Sequence, residues 1–431
     1  MRGTLSGLIV VVAALGIVGH SGLRAQNVTR RVIVHLRSSP QAQTAAAVVS
    51  GVGGTIEQVR AFETLPYFAA TVDSAALADL ARSPAVSDIV EDVPRRLALS
   101  QSGPLVEAPM AWDAGFSGAG WNVAVLDTGI DATHAFLSGN VASEACYSTT
   151  DASGATTSSS LCPGGLSSTT SFGSAQPCDV AECDHGTHVA GIAAGSGASF
   201  SGIARDAQVI AIQVFSRFTG ALCGGASACV LAWDSDVIAG LERVYALRNT
   251  FQIAAVNLSL GSSFGYASAC DSVSPPMKAA IDQLRDAGIA TVVAAGNSGS
   301  TTALSFPACL SNVVSVGSTT KTDVVSTFSN ASPGLSLLAP GEPITSSVPG
   351  GAFAAKMGTS MAAPHVAGAW AVLKQAKPTA TVDEVLAAFQ TTGRPIIDAR
   401  DGSGLSRPRL RVKAALDAVG VPRPEIGRAH V

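Results

Sequence analysis

The chain has 431 residues, 47% of them hydrophobic and only 13% charged, which is enough apolar material for a sizeable core and unlike a disordered or collagen-like chain. Lys and Arg number 27 against 31 Asp and Glu, and this net charge of −4 removes the basic footprint of a nucleic-acid or membrane-surface binder. The mean hydropathy of +0.34 is spread through Ala, Val and Gly. Only Leu8 to Val18 is apolar without interruption, and its 11 residues fall short of the ~20 needed to span a bilayer.

That run follows Arg2 and leads to Leu23-Arg24-Ala25. A basic start, an apolar middle and a small residue at the cut read as a secretory signal peptide over residues 1–25. The expected location is therefore secreted or periplasmic, with no membrane association once the leader is gone. All eight cysteines lie between Cys146 and Cys309. An even number in an exported chain favours disulfides, and the expected pairs are Cys223 with Cys229 and Cys270 with Cys309.

Residues 30–98 read as a small unit of alternating elements. Arg31 to Leu36 is a strand, the Ala-rich stretch from Gln41 a helix, and Gly54 to Phe62 and Tyr67 to Val72 are strands. Ser74 caps a helix over Ala75 to Ala81, and Ala85 to Glu91 is the last strand. The order βαββαβ is the α+β ferredoxin-like pattern, which many unrelated proteins share.

From residue 100 to 420 the pattern changes to near-continuous apolar runs separated by helical stretches. Val123 to Leu126, Val209 to Val214, Ala254 to Leu258, Ile289 to Ala295 and Val313 to Val316 have the length and β-branched content of strands buried on both faces. Helices are expected at Gly186 to Ala194, Asp236 to Arg248, Pro276 to Ala287 and Met361 to Lys374. Such an alternation predicts an α/β domain with a parallel sheet covered on both sides. Ser148 to Ser174 is polar and reads as a surface loop. The last helix spans Arg409 to Val419, stopped by Pro422 and Pro424. Within the tail, residues 421–431, the stretch from Glu425 to Val431 lacks apolar periodicity and resembles the translation of a sequencing adapter, an assembly artefact without a role.

Three segments each place a reactive side chain at the end of a strand or the start of a helix. Val123 to Asp131 (VAVLDTGID) ends a buried strand on a carboxylate. Asp184 to Gly191 (DHGTHVAG) opens a helix on an imidazole. Gly358 to Gly368 (GTSMAAPHVAG) opens another on a hydroxyl, with Pro364 read as lying in the tolerated first turn. Ligands of open α/β sheets gather at the carboxyl ends of the strands, so the three groups can converge. A serine nucleophile needs an adjacent base, and the base needs an acceptor on its other nitrogen. Spacing alone leaves His185 and His188 both open as that base.

The three motifs, in the order Asp, His, Ser on a parallel α/β scaffold, resemble those of the subtilisin-like serine peptidases. The resemblance covers about Val123 to Val419. It implies that Asp127 orients, His185 is the general base and Ser360 the nucleophile, leaving His188, His365 and Asp131 as structural residues. Asn297, in the Gly-Asn turn after Ile289 to Ala295, is implied as the side-chain oxyanion donor, with the Ser360 N–H as the second. Ser259, Leu260 and Gly261 are implied as one wall of the substrate pocket, Ala295 and Gly296 as the other and Ser305 as its floor. A floor without a carboxylate argues against a requirement for basic residues.

The preceding unit resembles the inhibitor-type propeptide of these enzymes, with cleavage expected near Arg95 to Gln101. The expected protein is a secreted serine endopeptidase, autoprocessed from a proenzyme, monomeric, acting on proteins or peptides and partnered by its own propeptide. No cofactor is expected for the chemistry, and structural calcium is left open and unlocated.

Two other readings carry less. Cys178-x₄-Cys183-x-His185-x₂-His188 holds zinc-ligand types, as in a zinc-dependent hydrolase, but lacks the usual paired spacing and would share His185 with the triad. A catalytically inactive binding protein on the same fold is disfavoured because Asp127, His185, Ser360 and Asn297 are all present.

Overall fold

The computed structural model describes residues 29–37, 42–61, 66–91, 99–152 and 157–420. The expected leader, residues 92–98, which include Arg95 to Ala98 of the expected processing region, and the tail from 421 lie outside the described residues. The chain divides into two units, Met1–Arg95 and Arg96–Val431. Among the described residues no helix is long and apolar enough to cross a membrane.

The first unit runs β1 (Arg30–Leu36), α1 (Ala42–Ser50), β2 (Ile56–Ala61), β3 (Tyr67–Val72), α2 (Ser74–Arg82) and β4 (Val86–Glu91). Its strands form one antiparallel sheet in the order β2-β3-β1-β4. Alternate residues Val32, Val34 and Leu36 point into a core with Phe68 and Leu80, as a pleated strand requires. The helix expected to be capped by Ser74 is capped one residue earlier. Asp73 accepts from the Ala75 and Ala76 N–H groups at 3.0 and 2.9 Å, because its carboxylate offers two strong acceptors where a hydroxyl offers one weaker one.

The second unit begins with α3 (Leu99–Leu105), α4 (Ala108–Asp113), β5 (Asn122–Asp127), β6 (Val141–Tyr147), β7 (Thr157–Ser160) and β8 (Ser168–Thr169). Then come α5 (His185–Ala194), β9 (Gln208–Gln213), β10 (Phe215–Thr219), β11 (Cys229–Ala232), α6 (Asp234–Leu247), β12 (Ile253–Leu258), β13 (Gly265–Tyr266) and α7 (Pro275–Asp286). The third stretch holds β14 (Ala290–Ala294), β15 (Leu304–Ser305), β16 (Val314–Thr320), β17 (Leu337–Glu342), β18 (Ile344–Val348), β19 (Ala352–Lys356) and α8 (Thr359–Ala376). It closes with α9 (Val382–Thr392), β20 (Arg394–Ile397), β21 (Ser406–Arg409) and α10 (Val412–Ala418).

The main sheet has the order β20-β21-β17-β16-β14-β12-β5-β9-β6-β8 and is parallel from β21 to β6. Successive residues of β5 face opposite layers. Val123 and Val125 pack with Val189 and Trp370 from α5 and α8, whereas Ala124 and Leu126 pack with Val237 and Ile281 from α6 and α7. The chain leaves β5 toward β9 and β6 but leaves β12 toward β14. The sheet therefore switches direction between β5 and β12, and a crevice opens at their carboxyl ends.

Several boundaries differ from expectation. The stretch from Ser148 to Ser174 is not simply a loop. β7 pairs with β10 in a separate three-stranded sheet, and the buried Ser148 hydroxyl donates to the Phe215 carbonyl at 2.8 Å. Arg409 ends a strand instead of opening the last helix, because its buried guanidinium is held by Asp323 and the Leu105 and Leu410 carbonyls. Pro364 is the sixth residue of α8, beyond the first turn.

Candidate active site

The crevice at the β5/β12 switch opens into a cleft of about 860 Å³ lined by Thr128, His185, Ser259, Leu260, Gly261, Gly296, Asn297 and Ser360, among others. Asp127, the last residue of β5, is fully buried; its Oδ1 takes hydrogen bonds from His185 Nδ1 at 2.8 Å and from the Thr128 N–H at 2.8 Å. A carboxylate on Nδ1 makes that nitrogen the donor, which leaves Nε2 of the neutral ring as an acceptor. Burial depresses the basicity of His185, but the Asp127 charge and hydrogen bond outweigh it and hold its pKa above the ordinary 6.5.

Two glycines permit this approach. A Cβ on Gly186 would stand 2.3 Å from the Gly129 carbonyl oxygen, and one on Gly129, at φ +101°, would stand 2.4 Å from the Gln176 carbonyl oxygen. Gly186 thus lets α5 pack against the end of β5, and Gly129 lets the turn after β5 pass the Gln176 backbone.

The other histidines part company with His185. His188 is buried, its Nε2 meets the Ile344 and Ala354 carbonyls at 3.0 and 3.1 Å, and burial pushes its pKa down to about 4. His365 is likewise buried and pushed down to about 4, held by the Met361 carbonyl and the Ser102 hydroxyl. Neither lines the cleft among the described residues. Asp131 accepts from Thr133 and from the Gly350 N–H, so it locks a turn to a hairpin tip.

Ser360 is the second residue of α8, preceded by Gly358 at φ +153°. Its hydroxyl donates to the Ser259 carbonyl at 3.2 Å and not, among the described residues, to His185. Asn297 stands in the turn after β14, and its Oδ1 accepts from both the N–H and the hydroxyl of Thr359 at 2.9 Å. Those two donors fix which end of the amide is oxygen and leave Nδ2 of this cleft-lining residue without an acceptor among the described residues.

The structure redraws part of the pocket. Ser259, Leu260, Gly261 and Gly296 line the cleft, but Ala295 and Ser305 do not; both are buried, with the Ser305 N–H bonded to the Ala295 carbonyl at 3.0 Å. Phe306, Pro307 and Ala294 line it instead. The motif reading also passed over Glu182, Asp184, Asp234 and Lys356, charged residues in the same cleft.

Cys223–Cys229 and Cys270–Cys309 are disulfides, as expected, and Cys146–Cys162 and Cys178–Cys183 complete the set. The last pair removes the two thiolates that a zinc site would need. Among the described residues no group of three or more His, Cys, Asp or Glu side chains is gathered to hold a metal ion, so no residues are assigned to calcium.

This fold and cleft are those of a serine protease, and comparison with known proteins gives the family. Residues 118–407 match the model of the subtilase family, Peptidase_S8, and the chain belongs to that family. It is 31% identical to subtilisin E of Bacillus subtilis strain 168 over 376 residues, which cover 84% of this chain and 85% of that protein. It is 34% identical over 330 residues to an alkaline protease of Alkalihalobacillus alcalophilus, covering 75% and 73%. A solved structure of a protease from Pseudoalteromonas arctica superposes with a TM-score of 0.58 at 28% identity, over 73% of this chain and 94% of that one. The chain is accordingly a serine-type protease that hydrolyses proteins or peptides and needs no cofactor for the chemistry.

Proposed function

We propose that the chain is a secreted serine endopeptidase, made as a proenzyme, whose catalytic triad is Asp127, His185 and Ser360. The observation that carries this is the buried Asp127 carboxylate on His185 Nδ1 at 2.8 Å, in the cleft that also holds the Ser360 hydroxyl. Substrate entry turns Ser360 Oγ from the Ser259 carbonyl toward His185 Nε2. Oγ then bonds to the scissile carbonyl carbon while its proton passes to Nε2, and Asp127 stabilises the imidazolium. The oxyanion is held by Asn297 Nδ2 and the Ser360 N–H, which lies in the first turn of α8 where backbone donors lack intrahelical partners. The C–N bond breaks as Nε2 returns its proton to the leaving amine. Water deprotonated by His185 then hydrolyses the acyl-enzyme and frees Ser360.

Residues 1–25 are the leader and 30–98 a propeptide that assists folding and inhibits the peptidase until self-cleavage near Arg95 to Gln101. Ser360→Ala tests both parts: it should leave an unprocessed, inactive chain, because loss of the nucleophile in the relative subtilisin costs about 2 × 10⁶ in kcat. Continued proteolysis by the variant would remove the triad. A mature N-terminus before Glu91 would remove the proposed boundary.

A further inference from the structure

The segments carrying His185 and Ser360 are tied together by one hairpin. β18 and β19 lead through Met357 and Gly358 straight into α8. The hairpin is fastened to the α5 segment at three levels. Ser347 Oγ donates to the Thr187 carbonyl at 3.0 Å, His188 Nε2 meets the Ala354 carbonyl at 3.1 Å, and Lys356 Nζ reaches both Asp184 carboxylate oxygens at 2.9 and 2.8 Å. The first two contacts involve the interior face of α5. The third stands at the cleft itself.

Asp184 immediately precedes His185, and Lys356 lies four residues before Ser360. Both side chains line the cleft and are only 31% and 28% exposed, so the pair is partly withdrawn from solvent screening. The bland role for Asp184, capping α5, is absent: it makes no side-chain cap hydrogen bond. Lys356 is the only cation among the described residues lining the cleft.

We propose that Asp184 and Lys356 are a positioning pair that sets the separation between the His185 imidazole and the Ser360 hydroxyl. This rests on the roles proposed above for those two residues. The Ser360 hydroxyl bonds to Ser259 and must come within about 2.6–3.2 Å of Nε2 for its proton to move. A misplacement of 1 Å costs a reaction of this kind about 10²-fold. An ion pair joining the residue before the base to the strand before the nucleophile restrains that gap directly.

The pair also balances the field on the imidazole. Asp184 favours the imidazolium and Lys356 opposes it. Among the described residues, Asp127 from β5 is fixed on Nδ1, His188 lies one turn along α5, and Glu182 from the turn before α5 and Asp234 from the start of α6 line the same cleft. Removing one partner should therefore move the acid limb of activity in a direction given by the sign of the charge lost.

The test uses the mature enzyme on a chromogenic peptide, with active sites counted by fluorophosphonate titration. Lys356→Met and Asp184→Asn should each lower kcat about tenfold with KM within about twofold, and the double variant should be no worse than either single. The acid limb of kcat/KM should move to higher pH in Lys356→Met and to lower pH in Asp184→Asn. It should return to the parental position in the double variant, and Lys356→Arg should keep both kcat and the limb. If Lys356→Met gives no titratable enzyme, Lys356→Gln is read in its place. Parental kcat and limbs in both single variants, or a loss of kcat with the limbs unmoved, would overturn the proposal. An active Ser360→Ala would instead overturn the triad. An inactive Ser360→Ala beside parental pair variants would remove the pair alone.

Discussion

Ser259 and Ser360 exchange two hydrogen bonds: the Ser259 hydroxyl donates to the Ser360 carbonyl at 2.8 Å, and the Ser360 hydroxyl to the Ser259 carbonyl at 3.2 Å. The first bond accounts for a proline that helix rules disfavour. Pro364 lies four residues after Ser360 and has no N–H, so it cannot serve the Ser360 carbonyl. Ser259 does so from the end of β12, its own hydroxyl receiving Asn257 Nδ2 at 2.8 Å. The chain Asn257, Ser259, Ser360 thus couples the sheet to the helix that carries the proposed nucleophile.

Ser259→Ala should lower stability by about 2 kcal/mol, because it leaves both the Ser360 carbonyl and the buried Asn257 Nδ2 unpaired. In a Pro364→Ala background the backbone regains an N–H at that position, and the same substitution should cost less by the carbonyl's share, about 1 kcal/mol. Urea unfolding in a Ser360→Ala chain, which avoids self-digestion, measures both. Equal costs in the two backgrounds would show that the carbonyl does not depend on Ser259.

Asn297→Leu should lower kcat by about 10²–10³ with little change in KM, the size known for the corresponding donor in subtilisin. Thr359→Val provides a sharper check. It removes one of the two donors that hold the Asn297 oxygen, together with the acceptor of the Gly296 N–H at 3.2 Å. A drop of about fivefold to tenfold in kcat, additive with nothing further in the Asn297→Leu background, would be the mark of an amide freed to turn. Full additivity would count against it.

The buried strands β5, β9, β12 and β14 were legible because both faces are covered and their residues form unbroken apolar runs. β17 was not, since its sequence LLAPGE contains Pro340 and Gly341. It tolerates them because β21 pairs with it only at Leu338, leaving that side of the later residues free of the ladder. α9 did carry a signal: Thr381 and Glu384 form a capping box ahead of Val385, Ala388 and Phe389. Asp127, His185, Asn297 and Ser360 were singled out from short strings through the family resemblance, since spacing alone left His185 and His188 both open. Asp184, Lys356 and the Ser259–Ser360 exchange were not, because they join segments about 100 residues or more apart, with no periodicity to announce them.

The disulfides should rank by loop length. In the chain-entropy account, Cys270–Cys309, with a sequence separation of 39, contributes about 4 kcal/mol and Cys178–Cys183, with a separation of 5, about 2 kcal/mol. Replacing each pair by Ala in the Ser360→Ala chain and measuring urea midpoints checks the order. The parental enzyme should stay active under chelator and the Cys178→Ala/Cys183→Ala enzyme should keep its activity, whereas chelator inactivation of the parental enzyme together with an inactive double variant would revive the zinc reading.

His188 and His365 should make the fold acid-labile independently of catalysis. Burial holds both rings at a pKa of about 4, below the 6.5 of the unfolded chain. Between those values the unfolded state binds protons that the folded state refuses, so stability falls as pH drops from 6.5 toward 4. Above 6.5 the effect is constant, and below 4 it is exhausted. At ~1.36 kcal/mol per pKa unit the loss is roughly 3 kcal/mol for each ring, acting as two protons at most on the slope. Unfolding free energies of the Ser360→Ala chain at several pH values should show that slope, and His365→Gln should reduce it by about one proton. An unchanged slope in that variant would mean that carboxylates, not the buried imidazoles, govern stability in this range.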